Sequence, residues 1–208
     1  MNDICGRIAD IRAQLGESCR LIAVSKNVDV DNIDQAIKCG QIDFAENYIQ
    51  EAEAKWVGLK QKYPQVRLHL IGNLQKNKVR KALALFDYIH TLDSVGLIEK
   101  IAGFAEAKDK TFLIQVLLDK NSPAKHGILP NKLSDVLSRA QQLNLNIVGL
   151  MGVASIENPA ADFKALADLA QQNNLVELSM GMSGDYLEAI EYGATMVRLG
   201  TAIFGVRQ

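Results

Sequence analysis

At 208 residues, 48% hydrophobic and 23% charged, the chain has the size of one compact soluble domain spanning 1–208, with apolar material enough for a sizeable core. Its 23 basic and 24 acidic residues leave a formal net charge of -1, so no global field recruits nucleic acid or an anionic membrane, and a small partner is expected. Cys5, Cys19 and Cys39 make an odd set without CxxC or Cys/His spacing, which argues against a disulfide framework or a zinc site and fits a reducing cytosol.

The chain opens with MNDICGRIADIR, polar from its second residue, and a helix is predicted over 2–16. No apolar run approaches the roughly 18 to 20 residues that span a bilayer, so neither secretion nor membrane insertion is expected. The first predicted strand is LIAVS at 21–25, a short apolar run of the kind buried in parallel sheets. NIDQAIKCG follows with helical periodicity: Ile33, Ala36 and Ile37 share one face and Gly40 marks the stop. Further strands are predicted at 43–47, 67–72, 87–91, 112–118, 146–151, 175–180 and 195–200. Amphipathic segments such as DVLSRAQQL and DFKALADLAQQ separate them. Eight strands alternating with about eight helices, plus the extra N-terminal helix, form the pattern of an α/β (β/α)8 barrel, the TIM-barrel architecture. A doubly wound open sheet is the runner-up, since counting strands cannot prove closure. No Pro/Gly/Ser-rich stretch or low-complexity segment divides the chain.

In such a barrel the chemistry sits at the C-terminal ends of the strands, often with a phosphate site made by the loops after strands 7 and 8. Strand 7 leads into Ser179-Met180-Gly181-Met182-Ser183-Gly184-Asp185 and a helical run from Tyr186 to Tyr192. Small residues there let backbone N–H groups approach an anion, and Ser183 is placed to cap the helix. Gly200 and Thr201 repeat the arrangement after strand 8, so the two loops together suggest a phosphate cup. Lys26 ends strand 1 on the face of Ile22 and Val24, pointing either into the barrel mouth or outward against a helix. An inward lysine is partly desolvated, which favours the neutral amine that attacks an aldehyde to form an imine. Arg198, two residues before Gly200, donates only; it either serves an unprotonated ring nitrogen at the mouth or pairs with a carboxylate such as Glu46. His69, His90 and His126 lack metal-pair spacing, and His69 and His90 are expected as hydrogen-bonded mouth or core residues. The basic cluster Lys76, Lys78, Arg80 and Lys81 has no interleaved aromatic residues and is expected to be a solvated loop and helix.

The segments Ala23-Val24-Ser25-Lys26, Phe44-Ala45-Glu46-Asn47-Tyr48, His69 to Lys78 (HLIGNLQKNK), Leu178 to Asp185 (LSMGMSGD) and Val197 to Gly205 (VRLGTAIFG) resemble the signatures of the pyridoxal phosphate homeostasis proteins, the YggS or PROSC family. The match runs in order from about residue 20 to the C-terminus. The resemblance implies a barrel like the N-terminal domain of alanine racemase, a cytoplasmic location, pyridoxal 5'-phosphate as cofactor and no assigned catalytic activity. It also implies that Lys26 carries a Schiff base, Asn47 lines the pocket, and Arg198 meets the pyridine nitrogen. Ser179, Ser183, Gly184, Gly200 and Thr201 are then the phosphate holders. The expected partners are the small-molecule cofactor and, transiently, pyridoxal-phosphate enzymes; the expected state is a monomer. A pyridoxal-dependent amino-acid racemase is the alternative, and a cofactor-free aldolase a weaker third. One departure stands after strand 6, where Gly149 to Ser155 (GLMGVAS) lacks the proline many members carry, so contacts from that loop are left open. Lys125-His126-Gly127 resembles the family's Lys-x-Gly loop, with no role derived for it.

Overall fold

The structure is a computed structural model that describes residues 3–118 and 126–205. Helix α1 (Ile4–Leu15) starts where the Asp3 side chain accepts from the Gly6 N–H, and it buries Ile4, Ile8, Ile11 and Leu15 on one face. The strands are β1 (Arg20–Val24), β2 (Asp43–Glu46), β3 (Arg67–Leu70), β4 (Tyr88–Leu92), β5 (Thr111–Gln115), β6 (Ile147–Met151), β7 (Glu177–Ser179) and β8 (Met196–Leu199). Between them run α2 (Val30–Lys38), α3 (Ile49–Lys62), α4 (Val79–Leu85), α5 (Val95–Ala102), α6 (Leu133–Gln142), α7 (Pro159–Gln172) and α8 (Tyr186–Glu191), with α9 (Thr201–Phe204) after β8. All neighbouring strands are parallel, and β1 pairs with β8 in the register Arg20 to Met196 through Ala23 to Leu199. That pairing closes the barrel, so the open-sheet runner-up is set aside.

Several predicted strands are shorter in the structure, β5 and β7 among them. Leu175 and Val176 precede β7, and Val176 is exposed, so hydrophobicity there does not mean pairing. β5 stops at Gln115, after which Val116 makes only an isolated bridge to Ile128. The outward strand faces and the helices enclose Phe44, Trp56, Phe86, Phe112 and Phe163, all essentially fully buried. Burying each side chain of this size contributes roughly 1.5–3 kcal/mol, which fixes the strands that carry the site.

The inward faces are different. Ile22, Val24, Ala45, Leu113, Met151 and Met196 form a small apolar cluster. Beside them Asp43, His69, His90, Ser179 and Arg198 are buried polar residues. Cys5 and Cys39 are joined in a disulfide with Cα atoms 5.4 Å apart, and Cys19 is buried and free. The odd count pointed away from a disulfide because it cannot register that packing of α1 on α2 brings together residues 34 apart in sequence. The cysteine count therefore carries no weight on the compartment. Among the described residues no helix is long and apolar enough to cross a membrane.

Candidate functional site

Strand alternation carries the inward series of β1 through Ile22 and Val24 to Lys26, and the structure sets Lys26 at the barrel mouth. A cavity of about 370 Å³ opens there, within the range of small-molecule pockets. Its polar lining is Lys26, Asn47, Ser183, Arg198 and Thr201, with Gly184 and Gly200; Val24, Ile71, Met151, Val153 and Met182 supply the apolar wall. Seven of the eight site residues expected from sequence thus share one cavity.

The segment beneath Lys26 is pinned from the neighbouring elements. Ser25 Oγ donates to Glu46 Oε1 at 2.7 Å, and Trp56 Nε1 donates to the same oxygen at 3.0 Å. Lys55 Nζ lies 2.8 Å from Glu46 Oε1 and donates to the Ser25 carbonyl at 2.7 Å. Glu46 therefore serves this support and does not pair with Arg198, which settles one of the sequence alternatives.

Arg198 is 4% exposed and carries no carboxylate partner among its hydrogen bonds. Nη1 donates to Ser179 Oγ at 2.9 Å and Nη2 to the Gly152 carbonyl at 2.9 Å. Burial pulls its guanidinium down to about 10, opposed by the charge of Asp185, which leaves it cationic at neutral pH. Gly152 belongs to the loop after β6, so that loop does contact the site, both by this carbonyl and through Val153, beside Met151 at the end of β6.

Ser179 is the exception among the expected site residues. It is fully buried below the mouth, is not part of the cavity wall, and bonds Arg198 and His90. Ser183 also departs from expectation: its Oγ accepts from the Ala202 N–H at 3.3 Å, in the first turn of α9, and does not cap α8. That bond ties the loop after β7 to the turn after β8. Met182 and Asp185 close the same loop, with Asp185 Oδ1 accepting from the Met182 N–H at 2.6 Å.

Two residues that sequence reasoning passed over shape the mouth. A Cβ on Gly72 would fall 1.9 Å from the Asn47 carbonyl, so only glycine lets the β3 end approach the β2 end that presents Asn47. Gly152 would have been found only by knowing which carbonyl faces Arg198. Lys125 lies outside the described residues; His126 is exposed, and its Nδ1 is 3.9 Å from Asp93 Oδ2.

Two features test whether the residues fit a phosphorylated pyridoxal ring. Asn47 Oδ1 is buried without a hydrogen-bond partner. A Cβ on Gly184 would meet no atom within 4 Å, so this cavity-lining glycine leaves room that any other residue would fill. With a lysine amine, a donor-only arginine and small-residue loops around one cavity, the donor set fits.

This barrel with a lysine at the mouth of its first strand defines a class: residues 3–208 match the family model "Alanine racemase, N-terminal domain". The pyridoxal phosphate homeostasis protein of Synechocystis sp. is 41% identical over 96% of this chain and 96% of its own length. The human protein of the same name is 35% identical over 90% of this chain and 76% of its own. The chain belongs to the alanine racemase N-terminal domain family and, within it, to the pyridoxal phosphate homeostasis proteins. Among solved structures it is similar to PipY of Synechococcus elongatus PCC7942 with pyridoxal phosphate bound, with a TM-score of 0.86 and 38% identity over 98% of this chain and all of that one. Alanine racemase of Clostridium difficile 630 shares the fold alone, at 14% identity, TM-score 0.75, over 100% of this chain and 57% of the racemase.

Proposed function

We propose that this chain binds pyridoxal 5'-phosphate at the barrel mouth, holds it as a Schiff base on Lys26, and serves intracellular cofactor homeostasis without turning over a substrate. In forming the imine, the Lys26 amine adds to the cofactor aldehyde and one water leaves. Ser183, Gly184, Gly200 and Thr201 receive the phosphate, Arg198 meets the ring nitrogen, and Asn47 Oδ1 gains a partner. Ser179 acts on the site through Arg198. The observation that carries the reading is the one cavity shared by Lys26, Asn47, Arg198 and the two loops after β7 and β8. The likeness to a pyridoxal-phosphate-bound relative supports it. A cytoplasmic monomer that meets pyridoxal-phosphate enzymes only transiently fits this role.

The test is borohydride reduction of the cofactor-loaded protein followed by peptide mapping. The pyridoxyl label is expected on Lys26, and recovery mainly on another lysine refutes the assignment. A racemase is the second reading, favoured by the fold it shares with alanine racemase. Against it, Arg198 donates only, so the ring nitrogen it meets stays unprotonated and becomes a weaker electron sink. Incubation with L-alanine in deuterium oxide is expected to show no rapid Cα deuteration by NMR; exchange with racemisation that Lys26→Ala abolishes would make this a small racemase.

A further inference from the structure

Inside the barrel, Arg67, Asp43, His69, His90, Ser179 and Arg198 form one hydrogen-bonded line. From the lower end, Arg67 Nη2 donates to Asp43 Oδ2 at 2.6 Å, and Asp43 Oδ1 lies 3.0 Å from His69 Nε2. His69 Nδ1 lies 2.9 Å from His90 Nε2, His90 Nδ1 lies 2.9 Å from Ser179 Oγ, and Arg198 Nη1 is 2.9 Å from the same oxygen. His69, His90 and Ser179 are fully buried, and Asp43 is 4% exposed. Five links therefore connect the solvent-side Arg67 to the arginine at the mouth.

The two ends dictate the direction of every link between them. An ionised Asp43 only accepts, so His69 Nε2 carries the proton and donates to it. A neutral His69 then accepts at Nδ1, which makes His90 Nε2 a donor and leaves His90 Nδ1 to accept from the Ser179 hydroxyl. Arg198 only donates, and the remaining lone pairs of Ser179 Oγ receive it. The hydrogen-bond order is consistent from both ends, each middle group donating once and accepting once. Burial lowers the pKa of both rings: at His69 the Asp43 carboxylate opposes it while Arg20 and Arg67 add to it, and at His90 the neighbouring His69, Arg198 and Arg20 all act in the same direction as burial. Tyr88 stacks on the His69 ring with centroids 4.3 Å apart, holding its plane.

We propose that Asp43, His69, His90 and Ser179 are positioning residues for Arg198, a one-way hydrogen-bond chain that fixes the guanidinium so that it presents a donor to the ring nitrogen of the bound cofactor. For its ligand the proposal rests on the pyridoxal phosphate reading; for its hydrogen-bond order it does not. Removing Ser179 detaches Arg198 from the chain while leaving the phosphate loops, Lys26 and the Gly152 bond in place.

Two measurements test it separately. In the ligand-free protein at neutral pH, imidazole ¹⁵N NMR is expected to show both buried histidines as Nε2–H tautomers. A Nδ1–H tautomer or an imidazolium at His90 overturns the proposal whatever the cofactor reading. In ligand titrations, Ser179→Ala is expected to bind pyridoxal phosphate about tenfold or more weakly, the scale of one charge-assisted hydrogen bond. Its affinity for the analogue with CH in place of the ring nitrogen is expected to match wild type. An equal loss for both ligands, or none for either, overturns the proposal, because a merely structural effect does not read the ring nitrogen. If wild-type protein binds neither ligand, the cofactor reading fails, and with it the proposed role, while the tautomers still decide the order of the chain. A Ser179→Ala protein that does not fold leaves that decision to the wild-type tautomers and to His90→Phe, expected to show the same ligand discrimination.

Discussion

Lys55→Met tests the support beneath Lys26. Lys55 Nζ is 10% exposed and stands 2.8 Å from both Glu46 and Glu51, while Glu46 itself is fully buried. At that separation the gross attraction of a unit pair is about 6 kcal/mol for an effective dielectric constant of about 20. The net cost of removing the lysine is smaller, about 3–5 kcal/mol, because what matters is the carboxylate left buried and uncompensated. Ser25 Oγ and Trp56 Nε1 still donate to Glu46, which puts the loss near the lower end. For a chain of this size about 3 kcal/mol lowers Tm by roughly 6–12 °C. The Ser25 carbonyl also loses its donor, so the residue preceding Lys26 is released and cofactor retention falls with stability. The assay is urea and thermal unfolding followed by circular dichroism, run beside the double variant Lys55→Met with Glu46→Gln. Removing the charge as well as its partner is expected to restore more than half of the loss. A single variant that costs less than about 1 kcal/mol, or a double variant as unstable as the single, refutes the account of an uncompensated buried charge.

Gly184→Ala adds a methyl that meets no protein atom, so stability is expected to change by less than about 0.5 kcal/mol. Pyridoxal phosphate titration is nevertheless expected to weaken at least about tenfold, a loss of roughly 1.4 kcal/mol, and unchanged affinity removes Gly184 from the phosphate cup. Gly72→Ala drives a Cβ into the Asn47 carbonyl, so a loss of about 1–3 kcal/mol in unfolding experiments is expected, with weaker cofactor binding; a neutral result means that the two strand ends part freely. Burial holds the folded-state pKa values of both His69 and His90 below the ordinary imidazole value of 6.5, so the unfolded chain binds more protons as pH falls below that point. Stability is full above it and is lost on acidification, by at most about 1.4 kcal/mol per histidine at pH 5.5, and urea unfolding that is flat between pH 7.5 and 5.5 contradicts neutral buried rings.

The barrel was legible because its strands are nearly continuous apolar runs and its helices carry a clear 3.6-residue face; Ile33, Ala36 and Ile37 lie buried where the pattern puts them. The mouth was legible for a related reason: residues at strand ends inherit their direction from strand alternation, so Lys26 follows Ile22 and Val24. Side-chain partners across the barrel were not. Glu46 ends β2 and Arg198 lies one residue before the end of β8, both strands flanking β1, and a sequence cannot say that Lys55, from the next helix, reaches Glu46 first. Ser183 sits where a cap belongs, yet α9 claims its oxygen. The disulfide and the Gly72 approach depend on spacing between separate elements, for which one-dimensional periodicity has no signal.

The buried polar line also explains why the interior of this barrel is not filled with Val, Ile and Leu alone. A charged arginine at 4% exposure is costly unless its hydrogen bonds are met, and here they are met by a serine and a carbonyl, with no carboxylate among those partners. A carboxylate at Ser179 would neutralise Arg198 locally and pull its guanidinium downward, away from a ligand. The carboxylate whose charge acts on Arg198 is instead Asp185, which does not hydrogen-bond to it, while Asp43 anchors the far end of the line with Arg67. Distance weakens the Coulombic pull on Arg198 while the intervening hydrogen bonds preserve its orientation. An arginine held in place but not neutralised remains a strong donor toward the mouth.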